Sequence, residues 1–190
     1  GAERVGVLSL RFPAAHAPSE SLASFFAAEV ALALDSALRF DRARSEAVTD
    51  ALTGAYNRRF LERRFADELR RARSLSTPLS LMFVDIDHFK SFNDLYGHDV
   101  GDRVLCDTAS LLRSVLRKVD VVARYGGDEF VVVLPETDRE GSRVVAKVIR
   151  EAVARHAAES GPELHSLTVT IGAATFPEDG ASAAEILAVA

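Results

Sequence analysis

The run Leu79–Ile86 (LSLMFVDI), preceded by Pro78 and followed by polar residues, constrains this chain more than any other stretch. It has the length of a strand and is apolar at both odd and even positions, the pattern of a central strand covered on both faces. Such a strand needs sheet neighbours on its edges and helices above and below it. Arg58–Arg73 carries Phe60, Leu61, Phe65 and Leu69 on one side of a helix, and Thr53-Gly54 breaks the chain before it. Gly101–Arg117 reads as another helix through Val104, Leu105, Leu111, Leu112, Val115 and Leu116. Asp138–Ser160 reads as another, through Val144, Val145, Val148, Ile149, Ala152 and Val153. Val121–Arg124 and Glu129–Leu134 are short β-rich runs around Gly126-Gly127, a hairpin signal. Leu167–Ala174 predicts a further strand, and Ala181–Ala190 opens a helix. The order α, β, α, α, β-hairpin, α, β, α predicts an α/β fold, a sandwich with an antiparallel-containing sheet and helices on its faces.

Ahead of this unit, Arg4–Phe12 reads as one strand and Pro13–Pro18 as a loop that cannot continue it. From Ser19, a plausible N-cap, to Val48 there is no Gly or Pro, and Phe26, Val30, Ala33, Ala37, Phe40 and Ala47 follow alternating spacings of 4 and 3. This favours a long helix with a seam that fits a parallel dimer, interrupted by Arg44; a solvated helix packed on its own domain is the other reading. Arg39–Arg73 holds ten Arg against six acidic residues, a pattern read as a salt-bridged helix face. Over the 190 residues, 23 Lys and Arg against 28 Asp and Glu give a net charge of −5, which argues against a general binder of nucleic acid. The one cysteine, Cys106, excludes an intramolecular disulfide, fits a reducing compartment and reads as a buried small hydrophobe. Leu22–Leu34 is interrupted by Glu29 and falls short of the roughly 20 residues of a membrane span. With no signal peptide visible, a soluble, cytoplasmic chain is expected.

The chemistry concentrates around Asp85. A carboxylate at the end of a buried apolar strand costs several kcal/mol unless something positive compensates it. The hairpin adds Asp128 and Glu129 directly after two glycines that permit close approach of backbone or ligand. If strand 79–86 pairs beside the hairpin, three carboxylates converge, and protons or a hard cation such as Mg²⁺ or Mn²⁺ must resolve their repulsion. The alternative is that Asp128 and Glu129 only solvate a turn. Asp87-His88-Phe89-Lys90, Asn93 and Gly97-His98-Asp99-Val100-Gly101-Asp102 place polar groups around a loop and a helix start, where backbone N–H groups can bind phosphate. Asn93 and Asp102 are equally open to capping or surface roles.

Taken together, these segments resemble the GGDEF-family diguanylate cyclase domain. Gly126-Gly127-Asp128-Glu129-Phe130 is its signature in full, with Arg124-Tyr125 before it. Asp50-Ala51-Leu52-Thr53-Gly54 with Asn57-Arg58-Arg59, then Asp85–Lys90, then Asn93–Asp102 agree in order and spacing, so the likeness covers about 50–190. The resemblance implies a palm-like α+β sandwich similar to nucleotide cyclases and polymerases, and condensation of two GTP into cyclic di-GMP with release of pyrophosphate. It implies Asp85 and Asp128 as metal-binding carboxylates with the backbone carbonyl of Ile86. Glu129 then assists deprotonation of the ribose 3′-hydroxyl or binds the second ion of a Mg²⁺ or Mn²⁺ pair. Asn93 and Asp102 read guanine, whose N1–H and N2–H₂ donors suit a carboxylate. Leu52 and Leu105 line the base pocket, the amides around Phe89 and Lys90 hold the terminal phosphates, and Gly126 and Gly127 admit the substrate. One GTP per protomer requires two facing protomers in a homodimer, with helix 19–48 setting their distance and rotation.

Arg117-Lys118-Val119-Asp120 matches the spacing of the family's inhibitory site for its own product, Arg117 offering a planar fork and Asp120 a partner for a guanine edge. A helix-terminal Arg followed by a turn Asp is the plainer reading. The expected division is a remnant of an upstream, possibly GAF-like sensor at 1–18, a signalling helix at 19–49 and the catalytic domain at 50–190. The family's downstream Lys and Arg and terminal strand are expected beyond Ala190, which predicts weaker GTP binding by a chain ending there. The rival expectation is a catalytically silent receptor for GTP or cyclic di-GMP; an intact carboxylate cluster favours the enzyme.

Overall fold

The computed structural model describes residues 24–36, 48–160, 164 and 167–190, and the chain divides into two units, 1–47 and 48–190. In the first, residues 24–36 form helix α1. Phe26 and Val30 of the expected seam are 51% and 44% exposed on it. Ala37, Phe40, Arg44 and Ala47 lie outside the described residues, as do the expected strand Arg4–Phe12 and loop Pro13–Pro18.

The second unit runs β1 (Tyr56–Asn57), α2 (Arg58–Leu75), β2 (Leu79–Ile86), α3 (Phe89–Tyr96), α4 (His98–Val115), β3 (Val121–Gly126), β4 (Glu129–Pro135), α5 (Arg139–Glu159), β5 (Val169–Phe176) and α6 (Ala183–Val189). The strands form one sheet in the order β1-β3-β4-β2-β5. β2 lies antiparallel between β4 and β5, β3 pairs antiparallel with β4, and only β1 runs parallel, along β3.

The alternation of a strand divides the core in two. Odd-numbered Leu79 and Leu81 of β2 and Val131 and Val133 of β4 pack with Leu61, Phe65 and Leu69 of α2 and Ile186 of α6. Even-numbered Met82, Val84, Ile86, Phe130, Val132 and Leu134 pack with Val104, Leu105 and Leu112 of α4 and Ile149 and Val153 of α5. Ser80, the polar residue early in β2, is satisfied there, donating to Thr137 O at 2.8 Å and lying 2.9 Å from Thr175 Oγ1. Helices start where side chains accept their first free amides: Asn57 from Phe60 N, Asp138 from Gly141 N, and Ser182 with Glu185 in a capping box.

Three expectations change. The helix expected from Gly101 starts at His98, because the break is at Gly97, with φ 86°, whose N–H caps α3 by donating to Asn93 O. Cys106 is only half-buried, since its Sγ donates to Leu52 O at 3.3 Å near the surface. The two-residue β1 has no counterpart in the sequence reading. Among the described residues no helix is long and apolar enough to cross a membrane.

Candidate active site

The antiparallel register of β2 and β4 sets Asp85 directly opposite Glu129. Paired residues project from the same face, so both carboxylates continue the odd-numbered rows beyond the last apolar residues of the core. Asp128 precedes Glu129 in the hairpin turn, where Gly127 has φ 35° and the β3–β4 register shifts between Arg124 and Gly126. Burial, and then the charges of Asp128, Glu129 and Asp87, raise the pKa of Asp85 above its ordinary value. The strand alignment therefore brings Asp85 and Glu129 together with Asp128 beside them, and among the described residues no cation offsets the rise in the Asp85 pKa.

Such an oxygen-only, negatively charged donor set fits a hard divalent cation. Among the described residues no three His, Cys, Asp or Glu side chains close into a cage for a metal ion. The Ile86 side chain is buried in the core and follows Asp85 at the end of β2.

The hairpin turn is held from behind by a contact that sequence reasoning missed. Arg124 donates from Nε and Nη2 to Gly127 O at 3.0 and 2.7 Å, and from Nη1 to Asp50 Oδ1 at 3.2 Å. Asp50 Oδ1 also accepts from Thr53 N and Oγ1, at 2.9 and 2.7 Å. Burial by itself raises the Asp50 pKa, but the Thr53 and Arg124 hydrogen bonds outweigh it and hold the carboxyl below its ordinary value. The available signal was that Arg124 is the sole Lys or Arg in the hairpin segment 121–134.

After β2, Asp87 N donates to Thr168 O at 3.0 Å, and its carboxylate accepts from Thr168 Oγ1 at 2.6 Å and Thr170 Oγ1 at 2.7 Å. These hydrogen bonds, Thr168 first, lower the Asp87 pKa. They pin the turn that leads through His88, with φ 59°, into Phe89 and Lys90 at the start of α3. That helix has no side-chain cap, which leaves its first amides for another acceptor.

Asn93 on α3 lies against Gly101 on α4, one residue before the exposed Asp102. Leu105 is 2% exposed within the core, whereas Leu52 is 37% exposed and its turn is tied to α4 through Cys106 and through Arg113 Nη2, which donates to Thr53 O at 3.3 Å. Arg117 and Asp120 form a pair of their own. Arg117 N donates to Asp120 Oδ2 at 2.8 Å and Nη2 to Oδ1 at 2.8 Å, with Nη2 also reaching Thr137 Oγ1 at 2.9 Å. The Asp120 side chain is 1% exposed and that of Arg117 54%. A cleft of about 680 Å³ opens beside them, lined also by Tyr56, Arg64 and Arg71. Asp85, Asp128 and Glu129 do not line it.

A family model described as "Diguanylate cyclase, GGDEF domain" matches residues 47–190. The chain is 39% identical over 136 residues to the response regulator PleD of Caulobacter vibrioides, covering 70% of this chain and 30% of that one. It spans less than a third of the length of the curated relatives it matches. Among solved structures, it resembles the GGDEF domain of YfiN (TpbB) from Pseudomonas aeruginosa with a TM-score of 0.67 and 38% identity, over 74% of this chain and 82% of that one. A structure of the coiled coil and GGDEF domain of DgcB from Caulobacter crescentus, in complex with c-di-GMP, matches with a TM-score of 0.65 and 28% identity, over 89% of this chain and 90% of that one.

Proposed function

Because the chain belongs to the GGDEF family of diguanylate cyclase domains, we propose that it condenses two molecules of GTP into cyclic di-GMP and two pyrophosphates. The observation that carries this reading is the opposition of Asp85 and Glu129 at the ends of paired strands, with Asp128 in the adjoining turn. Diguanylate cyclases generally use divalent metal ions; here a pair of Mg²⁺ or Mn²⁺, when bound, supplies positive charge against the triphosphate and acidifies the attacking hydroxyl. Asp85, Asp128 and the Ile86 carbonyl hold the ions. Glu129 accepts the ribose 3′-hydroxyl proton or completes the second ion's ligands.

Asp102 accepts from guanine N1–H and N2–H₂, and Asn93 donates to the same base. Leu52 and Leu105 flank it. The first amides of α3, at Phe89 and Lys90, take the terminal phosphates, and Gly126-Gly127 allows the triphosphate to approach the turn. The 3′-oxygen attacks the α-phosphorus of the GTP on the opposite protomer, the bond from α-phosphorus to the bridging oxygen breaks, and pyrophosphate leaves. The reciprocal attack closes the ring. Two protomers must therefore face each other, and we assign the helix within 19–49 to that role, with 1–18 the end of an upstream domain and 50–190 the catalytic domain. The solved coiled coil and GGDEF domain of DgcB supports the arrangement. Arg117 and Asp120, beside their cleft, are assigned to inhibition by cyclic di-GMP. We infer a cytoplasmic reaction, since it consumes GTP.

The test is GTP turnover with Mg²⁺, with the product identified by mass and Asp128→Ala assayed in parallel. Cyclic di-GMP from the parent chain and at least about 100-fold less from the variant is the expected result. GTP binding without turnover, both in the parent chain and in a chain extended past Ala190, overturns the enzyme and leaves a silent receptor in its place.

A further inference from the structure

Asn93 Oδ1 is the one buried side-chain nitrogen or oxygen among the described residues with no hydrogen-bond partner. What it touches instead is Gly101. A Cβ built on Gly101 falls 1.8 Å from Asn93 Oδ1 and 2.9 Å from its Cγ, far inside any tolerable contact. The backbone at Gly101 is ordinary helix within α4, so neither a turn nor a positive φ calls for glycine there. A glycine inside a helix is less favourable than alanine by about 1 kcal/mol. The Asn93 side chain occupies the space that an alanine methyl would fill.

We propose that Gly101 is a positioning residue for base selection: its missing side chain is the seat that holds the Asn93 amide in the orientation that meets the guanine. This rests on the guanine-reading role of Asn93 proposed above. Seating the oxygen against the Gly101 backbone suits a weak Cα–H···O contact and sets the amide nitrogen on the far side of Cγ from the Oδ1 seat. That nitrogen is a donor. It suits the O6 and N7 acceptors of guanine, while adenine presents an amino group at the O6 position. Asp102, the next residue on α4, takes the donor edge of the same base, so the glycine places two complementary groups side by side.

A double-mutant cycle on the full chain tests this with 3′-deoxy-GTP and 3′-deoxy-ATP, which lack the attacking hydroxyl and report binding alone. Asn93→Ala is expected to weaken 3′-deoxy-GTP about 5- to 10-fold and to leave 3′-deoxy-ATP nearly unchanged. Gly101→Ala is expected to do the same, and the double variant to bind like Asn93→Ala alone, because the methyl then has nothing to displace. Additive losses in the double variant overturn the proposal, placing the effect of Gly101 elsewhere, as at Phe89 Cζ, 3.2 Å from the built Cβ. Wild-type affinity and discrimination in Gly101→Ala also overturn it. An Asn93→Ala variant with unchanged affinity removes the base-reading role itself, a failure distinct from that of the seat. Should Gly101→Ala fail to fold, refolding on adding Asn93→Ala supports the seat, and an unfolded double variant overturns it.

Discussion

Asp85 and Asp50 are both aspartates at the hairpin end of the sheet, and their surroundings push them in opposite directions. Asp50 is buried enough to be penalised, yet Thr53 and Arg124 supply donors that more than offset the burial. Asp85 meets burial and three like charges, and among the described residues no cation opposes them. One carboxylate belongs to the framework, and its environment is complete. The other, on the function proposed above, belongs to a site whose stabilising charge comes with a divalent cation. Arg124 links the two regions, since the guanidinium that pairs with Asp50 also donates to Gly127 O, one residue before Asp128. That guanidinium reaches the backbone of the turn, while among the described residues no cation offsets the rise in the Asp85 pKa.

The strongest way to break this contrast is Asp85→Asn. Turnover is expected to fall by at least about 100-fold, while thermal stability without metal at neutral pH rises, because a half-buried negative charge facing like charges is removed. The sign follows from linkage: a carboxyl whose folded pKa is raised binds protons more tightly when folded, so it takes stability away as pH climbs between the unfolded and folded values. The variant's advantage should therefore vanish in acid, grow across that window and shrink when Mg²⁺ is added to both proteins. A variant less stable than the parent at neutral pH would mean that Asp85 is already compensated.

Asp50 should give the opposite profile in a smaller measure. Its lowered pKa contributes stability present above its unfolded value and lost as pH falls through the folded one. Asp50→Ala is expected to lower the melting temperature by about 5 °C at neutral pH, on the order of 1 to 2 kcal/mol, with the difference fading in acid. Arg124→Ala should lose similar stability and, in addition, turnover by about tenfold, because the Gly127 carbonyl loses its donor and the turn carrying Asp128 loosens. If Arg124→Ala lowers stability alone, the framework and the site are independent.

Much of this framework was legible because it lies in local pattern. The apolar run of β2, the glycines of the hairpin and the helical spacing of α2, α4 and α5 each report on themselves. The convergence of Asp85, Asp128 and Glu129 needed one further step, the pairing of β2 with β4. What escaped was set by contacts between distant residues. Asp50 and Arg124 are 74 positions apart, and neither looks special in its own segment. The two residues of β1 have no periodicity to display and are a strand only because β3 receives them. Gly97 and Gly101 are indistinguishable as letters; the first has φ 86° and ends α3, while the second sits in regular helix under Asn93. Cys106 reads as core until the turn carrying Leu52 is seen beside it.

The finest distinction concerns Asp87, which shares the charged neighbourhood of Asp85 but is satisfied in the manner of Asp50. Its donors are Thr168 and Thr170, alternate residues at the start of β5 and just before it, which present hydroxyls on one face. Thr170 is also the register partner of Asp85, so its hydroxyl has two candidate duties. Replacing both threonines by valine keeps their shape and β-branching and removes the hydroxyl donors. If they hold the turn that presents the first amides of α3, the KM for GTP rises about threefold while kcat stays within about twofold, the signature of lost ground-state binding. If instead they tune Asp85, kcat falls and its pH dependence shifts while KM holds. The first outcome extends the satisfied framework to the edge of the phosphate loop; the second moves its border inward by one strand position.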